Sequence, residues 1–206
     1  MSNKRIPKPR PVGAHFRGDL RRALMDAAIA TLEDVGADHL SLRAVARRID
    51  VSHAAPAHHF GDKAGLLTAI ATEGFELFVI HLSNSVLADD SEPLDQLASL
   101  GRAYVQFAER FPAHFEVMFR PAMIRVDDVA FTNAGNTAFE VLRTHIARCQ
   151  HAGWRTHADN RALTVAAWAL AHGISVLRTQ GSLSRQYPDT SLDGVIAIAG
   201  ALLAPP

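Results

Sequence analysis

Residues 41–67 read SLRAVARRIDVSHAAPAHHFGDKAGLL, from Ser41 to Leu67. Ser41 is a good helix N-cap, and Leu42, Val45, Ala46 and Ile49 behind it fall on one face at helical spacing. Asp50 stands where the chain must reverse, and Asp tolerates left-handed backbone better than most residues. Ser52 is expected to cap a second helix with His53, Ala54 and Ala55 in its first turn. Gly61 then breaks that helix and Asp62 starts a long third one. Two short helices joined by a tight turn form a helix-turn-helix, and Ala46 is small enough to let them cross closely. Such a pair works by laying its second helix in a DNA major groove about 12 Å wide. Phosphates then need donors at the flanks, and the hydroxyls and helix-start amides at Ser41 and Ser52 supply them. Lys63 lies in the first turn of the long helix, where its charge opposes the helix dipole unless an anion is bound.

The pattern continues outward on both sides. Upstream, residues 1–17 hold three prolines, five Lys or Arg and no acid, the composition of a basic flexible arm. It is either a solvated tail or an arm that lies along DNA. Asp19 is expected to cap a first helix whose inner face is Leu20, Leu24, Ala27, Thr31 and Val35, with Gly36 as its stop. Downstream, the long helix should bury Leu66, Leu67, Ile70, Ala71, Phe75, Phe78 and Leu82 and run to about Ala88. Further helices start at Pro93, at Pro112, behind Asp127 or Asp128, behind Asp159, and behind Ser191. No strand-like alternation and no internal repeat occurs, so the fold class is all-α with about nine helices.

At these residues the sequence resembles the tetracycline-repressor (TetR) family of transcriptional regulators. Ser41 to Ala46 resembles its second helix, and Val51 to Leu67 its turn, recognition helix and the start of its fourth helix. Asp50 stands where the family usually has Gly, Pro56 where it has an apolar residue, and Ala57 where it has an aromatic. The resemblance implies a DNA-binding domain over residues 18–78, with the helix-turn-helix at 41–60, and a ligand-binding and dimerisation domain over 79–206. His53, Ala54, Ala55 and His58 would face base edges, and Ser41, Arg43, Ser52, His59 and Lys63 would position the phosphate backbone. Pro56 cannot return an amide to the Ser52 carbonyl, so the recognition helix is expected to be short.

The C-terminal part resembles the TetR subgroup marked by Trp and then His-Gly, here Trp168 and His172-Gly173. Phe107, Phe111, Phe115, Met118, Phe119, Met123, Phe139, Trp168 and His172 would line an apolar cavity for an unknown small-molecule effector. The same stripe also reads as ordinary core packing. Residues 160–180 and 192–203 are apolar on more than one face, and such helices must be buried. The resemblance implies that a second copy buries them, through Leu163, Ala167, Leu170, Ile174, Leu177, Val195, Ile198 and Leu202. The twofold dimer would match a palindromic double-stranded operator. The reading is therefore a homodimeric repressor released by a small apolar or aromatic ligand.

Composition is compatible with that reading. Across 206 residues 48% are hydrophobic and 20% charged, typical of a globular chain that needs no metal or disulfide staple. The formal net charge of zero hides an asymmetry. Residues 1–65 hold 11 Lys and Arg against 7 Asp and Glu, whereas residues 66–206 hold 10 against 14. A basic end on an acidic body suits an anionic partner at that end. The longest uncharged run, Ala162–Leu177, falls short of about 18–20 residues, so no membrane span is expected. No secretory signal is read, and a cytoplasmic location is expected. Cys149 is the single cysteine, which rules out an internal disulfide and any CxxC motif.

Other function classes were weighed. Cys149 beside His145 or His151 is the one conceivable nucleophile pair, with no orienting acid or oxyanion motif, so no enzyme is expected. His53, His58 and His59 lack the spacing of a zinc site, and no cofactor is expected. A helical interaction module without DNA binding is the remaining alternative.

Overall fold

The computed structural model describes residues 14–87 and 91–203, without the side chains of residues 14–18, 87, 184 and 200–203. Among the described residues every regular element is helical, as the sequence predicts. The chain divides into two compact units, Met1–Leu66 and Leu67–Pro206.

The first unit contains α1 (Ala14–His39), α2 (Leu42–Arg48), α3 (Ala55–Phe60) and the start of α4 (Lys63–Leu87). Residues 1–13 of the expected arm lie outside the described residues, and Ala14 to Arg17 already belong to α1. Asp19 is therefore inside a helix and is not its cap. The run Ala14-His15-Phe16-Arg17 holds no proline, so nothing stops the helix from extending upstream. Gly36 does break it, at φ 75° and ψ 168°. Beyond the break Ala37 and Leu40 take up the core positions, and Val35, expected inside, is 47% exposed. Leu24, Ala28, Leu32, Val45, Ala46, Phe60 and Leu66 form the core of this unit.

Ser41 caps α2 as expected, accepting from the Ala44 amide at 3.2 Å. Asp50 has φ 53°, the left-handed turn read from its side chain. The start of α3 differs from expectation. Ser52 lies ahead of the helix, its hydroxyl accepting from the Ala54 amide at 3.3 Å, and α3 begins at Ala55. The cause is Pro56. A helix starting at Ser52 would need an amide at Pro56, whereas one starting at Ala55 places proline in the first turn, where no amide is needed. The Ser52 carbonyl is satisfied by the Ala55 amide at 2.9 Å.

The second unit holds the rest of α4, then α5 (Pro93–Arg110), α6 (Pro112–Met118), a 3₁₀ turn (Pro121–Met123), α7 (Val129–His151), α8 (Asn160–Thr179), α9 (Ser182–Gln186) and α10 (Leu192–Leu203). The five-residue α9 has no counterpart in the sequence reading. Asp128 and Asp159 cap α7 and α8 through the Phe131 and Ala162 amides at 3.1 and 2.8 Å. From Thr68 onward α4 is tied to residues 114–131. The Thr68 hydroxyl accepts from the Arg125 amide at 2.9 Å, and Phe75 meets Phe119 and Phe131 edge-on. These ties join α4 from Thr68 onward to the second unit.

By length and mean hydropathy α4 and α8 are both apolar enough to cross a membrane, which corrects the expectation drawn from uncharged runs alone. Glu73 and Glu76 interrupt the uncharged run in α4, and Arg161 and Arg178 bound the one in α8, without making either helix polar on average. Half of the α4 window is buried inside the protein, but only 17% of the α8 window is.

Candidate nucleic-acid interface and cavity

In the first unit, α3 presents a mixed surface. Pro56 and Phe60 are buried and anchor it, with the Arg21 guanidinium 5.0 Å over the Phe60 ring. His53, Ala54, Ala57 and His58 are exposed, and Ala55 and His59 are half-buried. His59 leans on its neighbours, with ring centroids 5.6 Å from His58 and 6.3 Å from Phe60. Ser41, Arg43 and Ser52 are exposed nearby in sequence. The Lys63 ammonium donates to the Asp38 carbonyl at 2.9 Å. An ammonium has three hydrogens, so this bond orients the group and leaves two donors. The outer edge of α3 is thus made of two imidazoles and small methyl groups, the shape a groove admits. Among the described residues no three His, Cys, Asp or Glu side chains are placed to hold a metal.

The second unit encloses a cavity of 920 Å³ between α4, α5, α7, α8 and α10. Of the nine residues expected to line one, Phe119, Phe139 and Trp168 do so. Phe107, Phe115 and Met118 are instead packed in the core, and Phe111, Met123 and His172 are half-buried behind the wall. Spacing along a helix puts an aromatic on an inner face but does not say which inner surface meets empty space. Phe75 and Phe78 of α4, Tyr104 of α5 and Trp154 also line the cavity. Phe75 and Phe78 read as plain core of α4, and nothing in the sequence around Trp154 marks it.

Tyr104 is the polar centre of this region. Its hydroxyl oxygen accepts from Trp168 Nε1 at 3.2 Å and lies 3.0 Å from His172 Nδ1. Burial holds His172 below its ordinary pKa, which favours the neutral imidazole. Burial also raises the Tyr104 pKa above that of a free phenol, so it stays protonated. At the cavity's other end Cys149 is fully buried, and its thiol donates to the Pro93 carbonyl at 3.2 Å. Burial pushes that thiol up to about 11, so the nucleophilic thiolate is scarce at neutral pH. His145 Nε2 sits 3.3 Å from the same carbonyl and is not aimed at the sulfur. His151 is bonded to the Ala147 carbonyl at 2.7 Å.

The residues expected at a dimer interface fall into two sets. Leu163 is buried in a cluster with Ile146, Cys149 and Trp154. Ala167, Leu170 and Ile174 line the cavity. Leu177 and Ile198 are 46% and 65% exposed, Val195 is half-buried, and the Leu202 side chain lies outside the described residues. The outward apolar face of α8 runs instead through Val165, Ala169, Gly173, Val176 and Leu177.

A helix-turn-helix with a methyl- and imidazole-edged second helix, carried with a hollow all-helical unit, defines the class of helix-turn-helix bacterial regulators. The chain belongs to the TetR family within it. The sequence model of the bacterial regulatory proteins of the tetR family matches residues 24–70, and that of the tetracyclin repressor-like C-terminal domain matches residues 97–198. Over 49 residues the chain is 45% identical to the HTH-type transcriptional regulator BetI of Cronobacter sakazakii, a match spanning 24% of each chain. A solved protein of unknown function from Rhodococcus sp. RHA1 is 30% identical, with 96% of this chain and 97% of that one covered and a TM-score of 0.77. The TetR family regulator PfmR of Thermus thermophilus is 20% identical, with 87% and 94% covered and a TM-score of 0.60. The fatty acid degradation regulator FadR of Bacillus halodurans is 11% identical, with 95% and 97% covered and a TM-score of 0.67. These last two share the fold.

Proposed function

We propose that this chain is a homodimeric, cytoplasmic DNA-binding regulator, a repressor released from a palindromic operator when a small apolar or aromatic molecule enters the cavity. Residues 18–78 serve as the DNA-binding domain and 79–206 as the effector and dimer domain, preceded by the basic segment of residues 1–17. The observation that carries the reading is the exposed edge at α3, where Ala57 and His58 are exposed on a helix pinned by Pro56 and Phe60 and His53 and Ala54 are exposed just ahead of it. His53 and His58 then offer donors to base edges, and Ala54 and Ala55 offer methyl contacts to thymine. Ser41, Arg43, Ser52, His59 and Lys63 hold phosphates. The Trp168, His172 and Gly173 combination supports placing the C-terminal unit in the Trp/His-Gly subgroup, since the first two converge on Tyr104.

The dimer uses the outer face of α8 with α10. Gly173 has open space where a side chain would stand, and Ala169 lies one turn before it, so a partner helix can approach closely. Ligand entry shifts the equilibrium only through a difference in affinity between the DNA-competent and DNA-incompetent states. Gel shifts with short duplexes from the sequence around the chain's own gene test the function. Lys63→Ala should weaken binding to every duplex several-fold and lower the salt slope by about 1. A wild-type protein that shifts no duplex at low salt would refute DNA binding.

A further inference from the structure

Both tryptophans of the chain, Trp154 and Trp168, line the same 920 Å³ cavity. The lining follows α5 from Pro93 to Tyr104, roughly 16 Å of helix. The space is thus elongated, and its walls are mainly aromatic rings and aliphatic chains. Its polar groups sit at two places.

At the inner end is the Tyr104 hydroxyl. The oxygen takes the Trp168 N–H and sits beside His172 Nδ1, so both rings of α8 are gathered at this end. The faces of Phe119, Phe139 and Trp168 around it favour a positive group over a negative one. At the rim stand Glu92, Asp95 and Asp193 against one cation among the described lining residues, Arg102. Arg102 is already engaged by the Ser99 hydroxyl at 2.7 Å and by Asp193 at 4.0 Å. The positive end of α5, which would attract an anion, already has Glu92 at its cap and Asp95 in its first turn.

We infer that the cavity takes an elongated apolar molecule whose polar end is uncharged or cationic, and that it disfavours carboxylates. This rests on reading the cavity as the effector site. A carboxylate would meet like charge at the rim and the negative faces of the aromatic rings.

Tryptophan emission reports occupancy directly. Wild-type protein is titrated with dodecylammonium, dodecanol and dodecanoate, each below its aggregation concentration. The ammonium and the alcohol should shift the emission, and dodecanoate should bind at least about tenfold more weakly than the ammonium. Neutralising the exposed rim with Glu92→Gln and Asp95→Asn together should narrow that gap, and Ala98→Phe, which fills the wall, should weaken all binding in a protein of unchanged circular dichroism. The inference is overturned if dodecanoate binds as tightly as the ammonium and depends on Arg102, or if none of the three shifts the emission. A gel shift with the same probes tests the other reading separately. A probe that fills the cavity but leaves DNA binding unchanged removes the effector role and leaves the ligand class standing.

Discussion

The phenol oxygen of Tyr104 serves two ring nitrogens from α8, and each would be left without its partner if it were removed. Tyr104→Phe should therefore cost about 1–3 kcal/mol in urea unfolding, more than the loss of one exposed hydrogen bond. His145 makes a second argument at this scale. It is 4% exposed, its Nε2 faces the Pro93 carbonyl, and burial lowers its pKa from 6.5. Because the folded pKa lies below the unfolded one, the unfolded chain binds more protons as pH falls past about 6.5. Stability is therefore full above that value and declines on acidification, and the similarly lowered His81 and His172 add to the slope. His145→Gln keeps an N–H for Pro93 and removes the titration. Its urea midpoint should change less between about pH 8 and 5.5 than that of the wild type. The sequence shows Asp50 as a left-handed turn residue, because that preference is local. It does not show Tyr104 as a polar hub, because Trp168 and His172 are brought to it by tertiary packing alone.

Helix starts and stops were largely legible, since caps and prolines act within a few residues. The start of α3 was misplaced because Ser52 and Pro56 compete for the same turn, and the geometry lets proline win. The crossing of α4 and α6 was not legible at all. A Cβ at Gly74 would stand 2.7 Å from Met118 Sδ and 3.1 Å from His114 Cβ. Beside it His114 Nε2 pairs with Glu73 at 3.1 Å, which fixes the backbone of α6 on α4. In an open helix Gly→Ala would stabilise by about 0.5–1 kcal/mol. At Gly74 overpacking should outweigh that gain, and Gly74→Ala should lower stability by about 1 kcal/mol or more. Thermal unfolding of the variant beside a Gly135→Ala control in α7, where the nearest atoms are Phe75 ring carbons at 3.9 Å, separates the two effects.

At the level of the whole molecule, α8 pairs an apolar composition with little burial. Val165 and Leu177 on α8 are 49% and 46% exposed, and Ile198 on α10 is 65% exposed. A second copy is the occupant proposed for this face, so a charge placed there should act on assembly and not on the fold. Ala169→Glu would desolvate a carboxylate in an apolar interface, at a cost of several kcal/mol. Sedimentation should show the wild type as a dimer and Ala169→Glu as a monomer with an unchanged helical spectrum. A wild-type monomer at micromolar concentration would remove the dimer.

The all-helical class, the helix-turn-helix and most helix boundaries follow from residues 41–67 and the caps beyond them. Periodicity, N-caps and Pro or Gly breaks are interactions between residues a few positions apart, so the order of residues contains them. Which aromatics face a cavity, which face of α8 stays outside, and what Tyr104 bonds depend on where helices distant in sequence come to rest. Those answers exist only once α4, α5, α7, α8 and α10 have packed, because empty space belongs to no single helix.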